Sequence, residues 1–150
     1  MNRTVFVLNG PNLNLLGRRD PALYGSQTLA DVERICRDEG DHLGLELVIR
    51  QSNHEGTLID WIHEALDAGA SLVGNFGAYT HTSIAIMDAL AVLDTPILEV
   101  HISDIHAREE FRHRSYVGMV ATDSVIGKGV EGYRLALRRV AELLDAAEPA

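Results

Sequence analysis

Lysine is nearly absent from this 150-residue chain, since all of its 13 Lys and Arg except Lys128 are arginine. A reaction through a Schiff-base lysine therefore has a single candidate, whereas planar, multi-donor recognition of an anion has many. Cysteine is as scarce. Cys36 stands alone, which excludes an internal disulfide, and its place in a helical pattern suits a small buried hydrophobe. Positive charge is outnumbered, 13 cationic against 22 acidic side chains giving a formal net charge of −9. Nucleic acid and anionic membrane surfaces both reward positive charge, so a small molecule is the better partner. No apolar run approaches the length needed to span a bilayer, and the N-terminus lacks the basic region and apolar block of a signal peptide. A cytoplasmic location is expected. The remaining composition, 46% hydrophobic and 23% charged, is that of one globular domain over residues 1–150 with one core.

Short apolar runs at Val5 to Leu8, Leu45 to Ile49, around Leu72 and Val73, Ile97 to Val100 and Val117 to Ala121 read as buried strands. Helical patterns separate them. The first covers Thr28 to Leu43, with Leu29, Val32, Ile35 and Leu43 at helical spacing, a Thr28/Asp31 capping box and Gly44 as its stop. The second covers Thr57 to Ala68, repeats the Thr-x-x-Asp start with Asp60, and ends at Gly69. The third covers about Thr82 to Leu93. The last covers about Val130 to Ala146, with Leu135, Leu137, Val140, Leu143 and Leu144 inward, and the tail at about 145–150 is expected to fray. Such alternation calls for an α/β three-layer sandwich, a five-stranded parallel sheet of flavodoxin-like order 2-1-3-4-5 with helices on both faces.

Ligands of such sheets bind beyond the carboxyl ends of the strands, and the segments there are the unusual ones. "NGPN" follows the first strand, "QSNHEG" the second, "NFGAYTHTS" the third and "HISDIHAREEFRHRS" the fourth, so four loops are expected to bring Asn, His, Tyr, Ser and Arg to one sheet edge. Gly127, Gly129 and Gly132 have G-x-G-x-x-G spacing, but a dinucleotide fingerprint belongs after the first strand, and a strand-to-helix turn explains them better. His81, His101, His106, His113 and Asp104 are suitable metal-ligand types, yet they lack a short ligand spacing and three of them lie among Arg108, Arg112 and Arg114. No G-x-S-x-G elbow follows any strand. His101 is different in kind: Glu99, two residues earlier on the same strand, shares its face and can orient or charge the imidazole, making it a plausible general acid. Arg18, Arg19 and Tyr24 lie between Gly17 and Gly25. Neighbouring guanidinium charge favours a phenolate, and the segment about 18–25 suits a lid.

Five blocks, "NGPNLNLLGRRDPALYG", "QSNHEGTLIDWIHEAL", "NFGAYTHTSIAIMDAL", "EVHISDIHAREEFRHRS" and "GKGVEGYRLAL", resemble in order and spacing the type II 3-dehydroquinate dehydratases (type II dehydroquinases), over nearly the whole chain. The resemblance implies a flavodoxin-like fold, a homododecamer built as a tetramer of trimers, no metal and no organic cofactor. It implies dehydration of 3-dehydroquinate to 3-dehydroshikimate, a step of the shikimate route to aromatic amino acids. By the same resemblance Tyr24 is the base, Arg19 supports its phenolate, Asn12 positions a water against the enolate, His101 protonates the departing hydroxyl and Glu99 orients His101. Asn75, His81 and Arg112 are implied to hold ring hydroxyls, the backbone N–H groups of Ile102 and Ser103 the carboxylate, and Asp88 to reach a neighbouring subunit's site. Five positions depart from the family pattern, two of them, Asp123 and Lys128, outside the expected chemistry. Phe76 replaces a small residue or Pro and is expected to reshape the pocket floor; Met87 replaces an Arg before Asp88; Asp104 replaces an Asn and puts negative charge near the anion site. The rival from another class is a non-catalytic, flavodoxin-like module that binds a small anion, which would have little need of the Tyr24 and His101 pair.

Overall fold

The computed structural model describes residues 2–148. Five strands, β1 (Thr4–Asn9), β2 (Glu46–Gln51), β3 (Ser71–Asn75), β4 (Ile97–His101) and β5 (Asp123–Ile126), form one sheet in the order β2-β1-β3-β4-β5. Every pairing is parallel. Period-two alternation divides the apolar runs between two layers. Val5 and Val7 of β1, with Val73, Leu98 and Val100, face α2 (Leu29–Leu43) and α5 (Glu131–Ala147). Phe6 and Leu8, with Leu72 and Ile97, face α3 (Glu55–Ala68) and α4 (Ile84–Leu90). Strands covered on both sides must be apolar throughout, which is why the interior strands β1, β3 and β4 were legible as runs.

The first helix begins as expected: Thr28 accepts from the Asp31 N–H and Asp31 from the Thr28 N–H, and Gly44 closes it with φ 67°. Cys36 is buried in its apolar face, and burial pushes the thiol up to about 12. The three glycines form the strand-to-helix turn after β5, where Gly127 and Gly129, at φ 75° and 62°, donate to the carbonyls of His101 and Ile102.

Four boundaries differ from the sequence reading. Val117 to Ala121 is not the fifth strand: its N–H groups at 120 and 121 bond to the Val117 carbonyl, and Val117 plugs the α3/α4 side of the core. The true β5 lies two residues further on, at the half-exposed sheet edge, where an apolar run is not required. Helix α3 starts at Glu55, not Thr57, because the Ser52 hydroxyl accepts from the His54 N–H and turns the chain early, leaving Thr57 and Asp60 inside the first turns. The third helix shrinks to α4, capped by Ser83, whose hydroxyl accepts from the Ile86 N–H at 2.9 Å. In α5 the buried stripe runs through Tyr133, Ala136, Leu137, Val140, Ala141 and Leu144, and Leu135 is exposed rather than inward. The tail read as frayed is helical through Ala147; Pro149 and Ala150 lie outside the described residues.

Candidate active site

The carboxyl ends of β1, β3 and β4 open on a cleft. The segment after β1 supplies Pro11, Asn12, Arg19 and Tyr24; that after β3 supplies Gly77 and His81 beside Asn75; β4 and its extension supply His101, Ile102, Ser103, Arg108 and Arg112. In a chain of net charge −9, this lining holds three guanidinium groups and no carboxylate, so the cleft is a local basin for an anion. The fourth expected loop, "QSNHEG", braces the site instead of lining it. Asn53 there accepts from the Asn12 N–H at 3.0 Å and from the Gln51 side chain at 3.1 Å. Asn12 takes φ 68°, a left-handed conformation that Asn adopts more readily than most residues.

At the outer end, Asp20 caps the single-turn α1 (Pro21–Tyr24) by accepting from the Ala22 N–H. Tyr24 at its end receives two guanidinium N–H groups on one phenol oxygen, from Arg19 at 2.8 Å and from Arg108 at 2.8 Å. The Arg19 guanidinium also lies 3.8 Å from the ring centroid. Two fixed cations leave the oxygen as an acceptor and complement negative charge there. Arg108 is a cleft residue that the sequence reading did not assign to the site. Its carbonyl accepts from His113 Nε2 at 2.9 Å, and its place in an irregular run of 3₁₀ turns gives no periodicity from which to choose it over Arg114. Arg18 is exposed and outside the cleft.

At the inner end, His101 and Glu99 are 4% and 2% exposed. His101 Nε2 bonds Glu99 Oε2 at 2.8 Å. The Ser115 hydroxyl donates to the same carboxylate oxygen and the Ser124 hydroxyl to the other, at 2.9 Å. Burial alone would raise the Glu99 carboxyl, but the bond and charge of His101 and the two hydroxyls outweigh it and hold the group below the ordinary 4.5. With Nε2 turned to Glu99, the other ring nitrogen, Nδ1, is the one left for the cleft. His81 stacks on His101 at 6.4 Å between centroids and donates from Nδ1 to the Arg114 carbonyl at 2.8 Å. Desolvation, with the charges of His101 and Arg112, holds His81 below the ordinary 6.5 although its bond to Arg114 opposes this.

Between the ends, Asn75 donates to the Tyr133 hydroxyl at 3.0 Å and accepts from the Gly77 N–H at 3.2 Å, while Tyr133 donates to Asn9 at 2.6 Å. Burial pushes the Tyr133 phenol up, so it stays a neutral hydroxyl that accepts from Asn75 and donates to Asn9. Phe76 does not reshape the floor. Its ring turns away into the α3/α4 layer, into the space over Gly74 that a side chain there would occupy. Asp104 is likewise absent from the lining: its carboxylate accepts from the His106 N–H and caps a 3₁₀ turn. Asp88 is exposed on α4 and is not brought to this cleft. Among the described residues, no three His, Cys, Asp or Glu side chains are grouped to hold a metal ion.

Residues 3–141 match the sequence profile of the family described as "Dehydroquinase class II". The chain belongs to the class II dehydroquinase family. It is 57% identical over 145 residues, 96% of its own length and 100% of the relative's, to a 3-dehydroquinate dehydratase of Chelativorans sp. strain BNC1. To a 3-dehydroquinate dehydratase of Cereibacter sphaeroides it is 54% identical over 143 residues, 95% and 97% of the two chains. The crystal structure of a type II dehydroquinase from Propionibacterium acnes superposes with a TM-score of 0.90 at 46% identity, covering 95% of this chain and 98% of that one. The class II dehydroquinase fold is thus the five-stranded parallel α/β sandwich described above, and the family's members are lyases. No helix among the described residues is long and apolar enough to cross a membrane.

Proposed function

We propose that the protein is a hydro-lyase that converts 3-dehydroquinate to 3-dehydroshikimate in the shikimate route to aromatic amino acids. The observation that carries this reading is one cleft holding a phenol oxygen under two guanidinium groups at one end and an imidazole on a buried carboxylate at the other. Removing a proton beside a ketone needs a base and a means of holding the enolate, and expelling the adjacent hydroxyl needs an acid. Tyr24, as phenolate, takes the proton on the carbon next to the carbonyl, and the C–H electron pair becomes the enolate. Arg19 and Arg108 stabilise charge as it moves, and Asn12 holds a water against the enolate oxygen. The enolate then reforms the carbonyl and expels the neighbouring hydroxyl, which leaves as water with the proton from His101 Nδ1, in an anti sense across the ring. Asn75, His81 and Arg112 receive the ring hydroxyls, and the backbone N–H groups of Ile102 and Ser103 receive the carboxylate. No step calls for a metal, an organic cofactor or Lys128.

Residues 1–150 act as one domain in the cytoplasm, with 18–25 as a lid over bound substrate. Copies assemble as a homododecamer, a tetramer of trimers, in which Asp88 of a neighbouring copy completes the site. The exposure of Asp88 on α4 suits such a reach. The deciding experiment incubates purified protein with 3-dehydroquinate and follows the ultraviolet absorbance of the conjugated product. Turnover without a borohydride-trapped adduct is expected; binding of the anion without turnover would instead support a non-catalytic binding module. Light scattering should report a large oligomer, and a monomer would remove Asp88 from the site.

A further inference from the structure

We infer that Ser115 and Ser124 are positioning residues that hold Glu99 as a carboxylate and so keep the proton-loaded His101 an imidazolium. The inference rests on the reading of His101 as the acid. The geometry begins with the sheet register. Glu99 of β4 pairs with Ser124 of edge strand β5 on one side and with Gly74 of β3 on the other, so the Ser124 side chain shares the face of the carboxylate. Ser124 meets Oε1. Ser115 approaches from the segment after β4 and meets Oε2, the oxygen already bound by His101. Its direction is fixed by a third group: the Gly118 N–H donates to Ser115 Oγ at 2.8 Å, which leaves the hydroxyl proton to point at Glu99. Gly118 belongs to the turn that the apolar run had suggested was a strand. A Cβ at 118 would lie 3.0 Å from Glu99 Oε1 and 3.1 Å from Ser115 Oγ, closer than is comfortable, so the turn is fitted tightly around this carboxylate.

Both hydroxyls can only donate to an ionised carboxylate, and each donor makes that form more favourable in a buried site. The consequence reaches His101 because the pair, once it carries two protons, has two arrangements. In one, Glu99 is ionised and His101 is an imidazolium, whose Nδ1–H is an effective acid. In the other, Glu99 has taken the Nε2 proton and His101 is a neutral imidazole, whose Nδ1–H is a very weak one. The serines favour the first. His81 from the segment after β3 stacks on the imidazole, and Arg112 from the segment after β4 lines the same cleft. Arg112 shares its charge with Glu109 at 2.5 Å, whereas the Glu99 carboxylate bonds the imidazole directly.

The test uses the full-length protein with Ser115→Ala, Ser124→Val and Ser124→Thr, the last two nearly equal in shape and different in the hydroxyl. Ser115→Ala should lower kcat about tenfold and Ser124→Val roughly threefold, with KM within about twofold, and the double variant should lose their product or more. Ser124→Thr should restore the wild-type rate. Nitrogen NMR of His101 at low pH should show both ring nitrogens protonated in the wild type and Nε2 shifted toward its unprotonated position in the double variant. Unchanged His101 signals in a folded double variant would overturn the inference, as would a Ser124→Thr variant as slow as Ser124→Val. His101→Gln separates this failure from that of the acid assignment: full turnover by that variant removes His101 as the acid, whereas lost turnover beside intact serine variants removes only the serines' role.

Discussion

The two ends of the cleft are built in opposite ways. Tyr24 stands on a one-turn helix in a long loop, partly exposed, and its oxygen is held by side chains five and 84 positions away in sequence. His101 stands at the end of an interior strand, buried, held by a carboxylate two positions back that is itself held by serines 16 and 25 positions from it. The loop is held at Tyr24 by two part-buried hydrogen bonds, whereas the strand end is fixed within the sheet. The difference teaches where each kind of group belongs. A group that must let substrate pass is placed on a loop; a group whose proton must be controlled is placed where a low dielectric makes each neighbouring donor count.

The largest test of this contrast removes the loop's reactive oxygen. Tyr24→Phe should lower kcat by about 10³-fold or more, near the upper range for a general base, while calorimetry still finds substrate binding within severalfold of wild type. Next comes the clamp. Arg108→Leu should cost about 10²-fold in kcat, comparable with Arg19→Leu; if only the Arg19 variant is slow, the second guanidinium is structural. Tyr24→Phe should not move the urea midpoint appreciably, because it keeps the ring that packs against the core.

The buried groups of the cleft should respond in stability instead. Tyr133→Phe leaves Asn9 and Asn75 each short of a buried partner and should cost about 1–3 kcal/mol in urea unfolding. The smallest effect is in pH dependence. Folding holds the Glu99 carboxyl below its ordinary 4.5, so below that pH the unfolded chain takes up the proton first. The stability that Glu99 contributes is complete above about pH 4.5 and is lost as the pH falls through the folded value. Urea midpoints measured from pH 6 downward, at steps of about 0.5, should therefore decline less steeply for Glu99→Gln than for the wild type. Equal slopes would mean that the buried pair does not govern acid stability.

Much of this was written into the chain order. Buried parallel strands are apolar on both faces, so β1, β3 and β4 stood out as runs, and the Thr28/Asp31 box and Gly44 marked α2 by local hydrogen bonding alone. Glu99 and His101 were legible as a pair because two residues on one strand must share a face. Of the two edge strands, β2 still carries most of the apolar run Leu45 to Ile49, whereas β5 has no such run, and a neighbouring apolar turn imitated it.

By itself, then, the sequence determined the alternation of elements, the strand order it requires, the family and the residue types at the sheet edge. These follow from short-range periodicity and from which side chains can be buried. Only the tertiary structure decided that Arg108 joins Arg19 on the Tyr24 oxygen, that Phe76 and Asp104 turn out of the cleft, and that two serines from different segments close on Glu99. Those contacts join residues far apart in the chain, and their partners are chosen by packing, which no local pattern encodes.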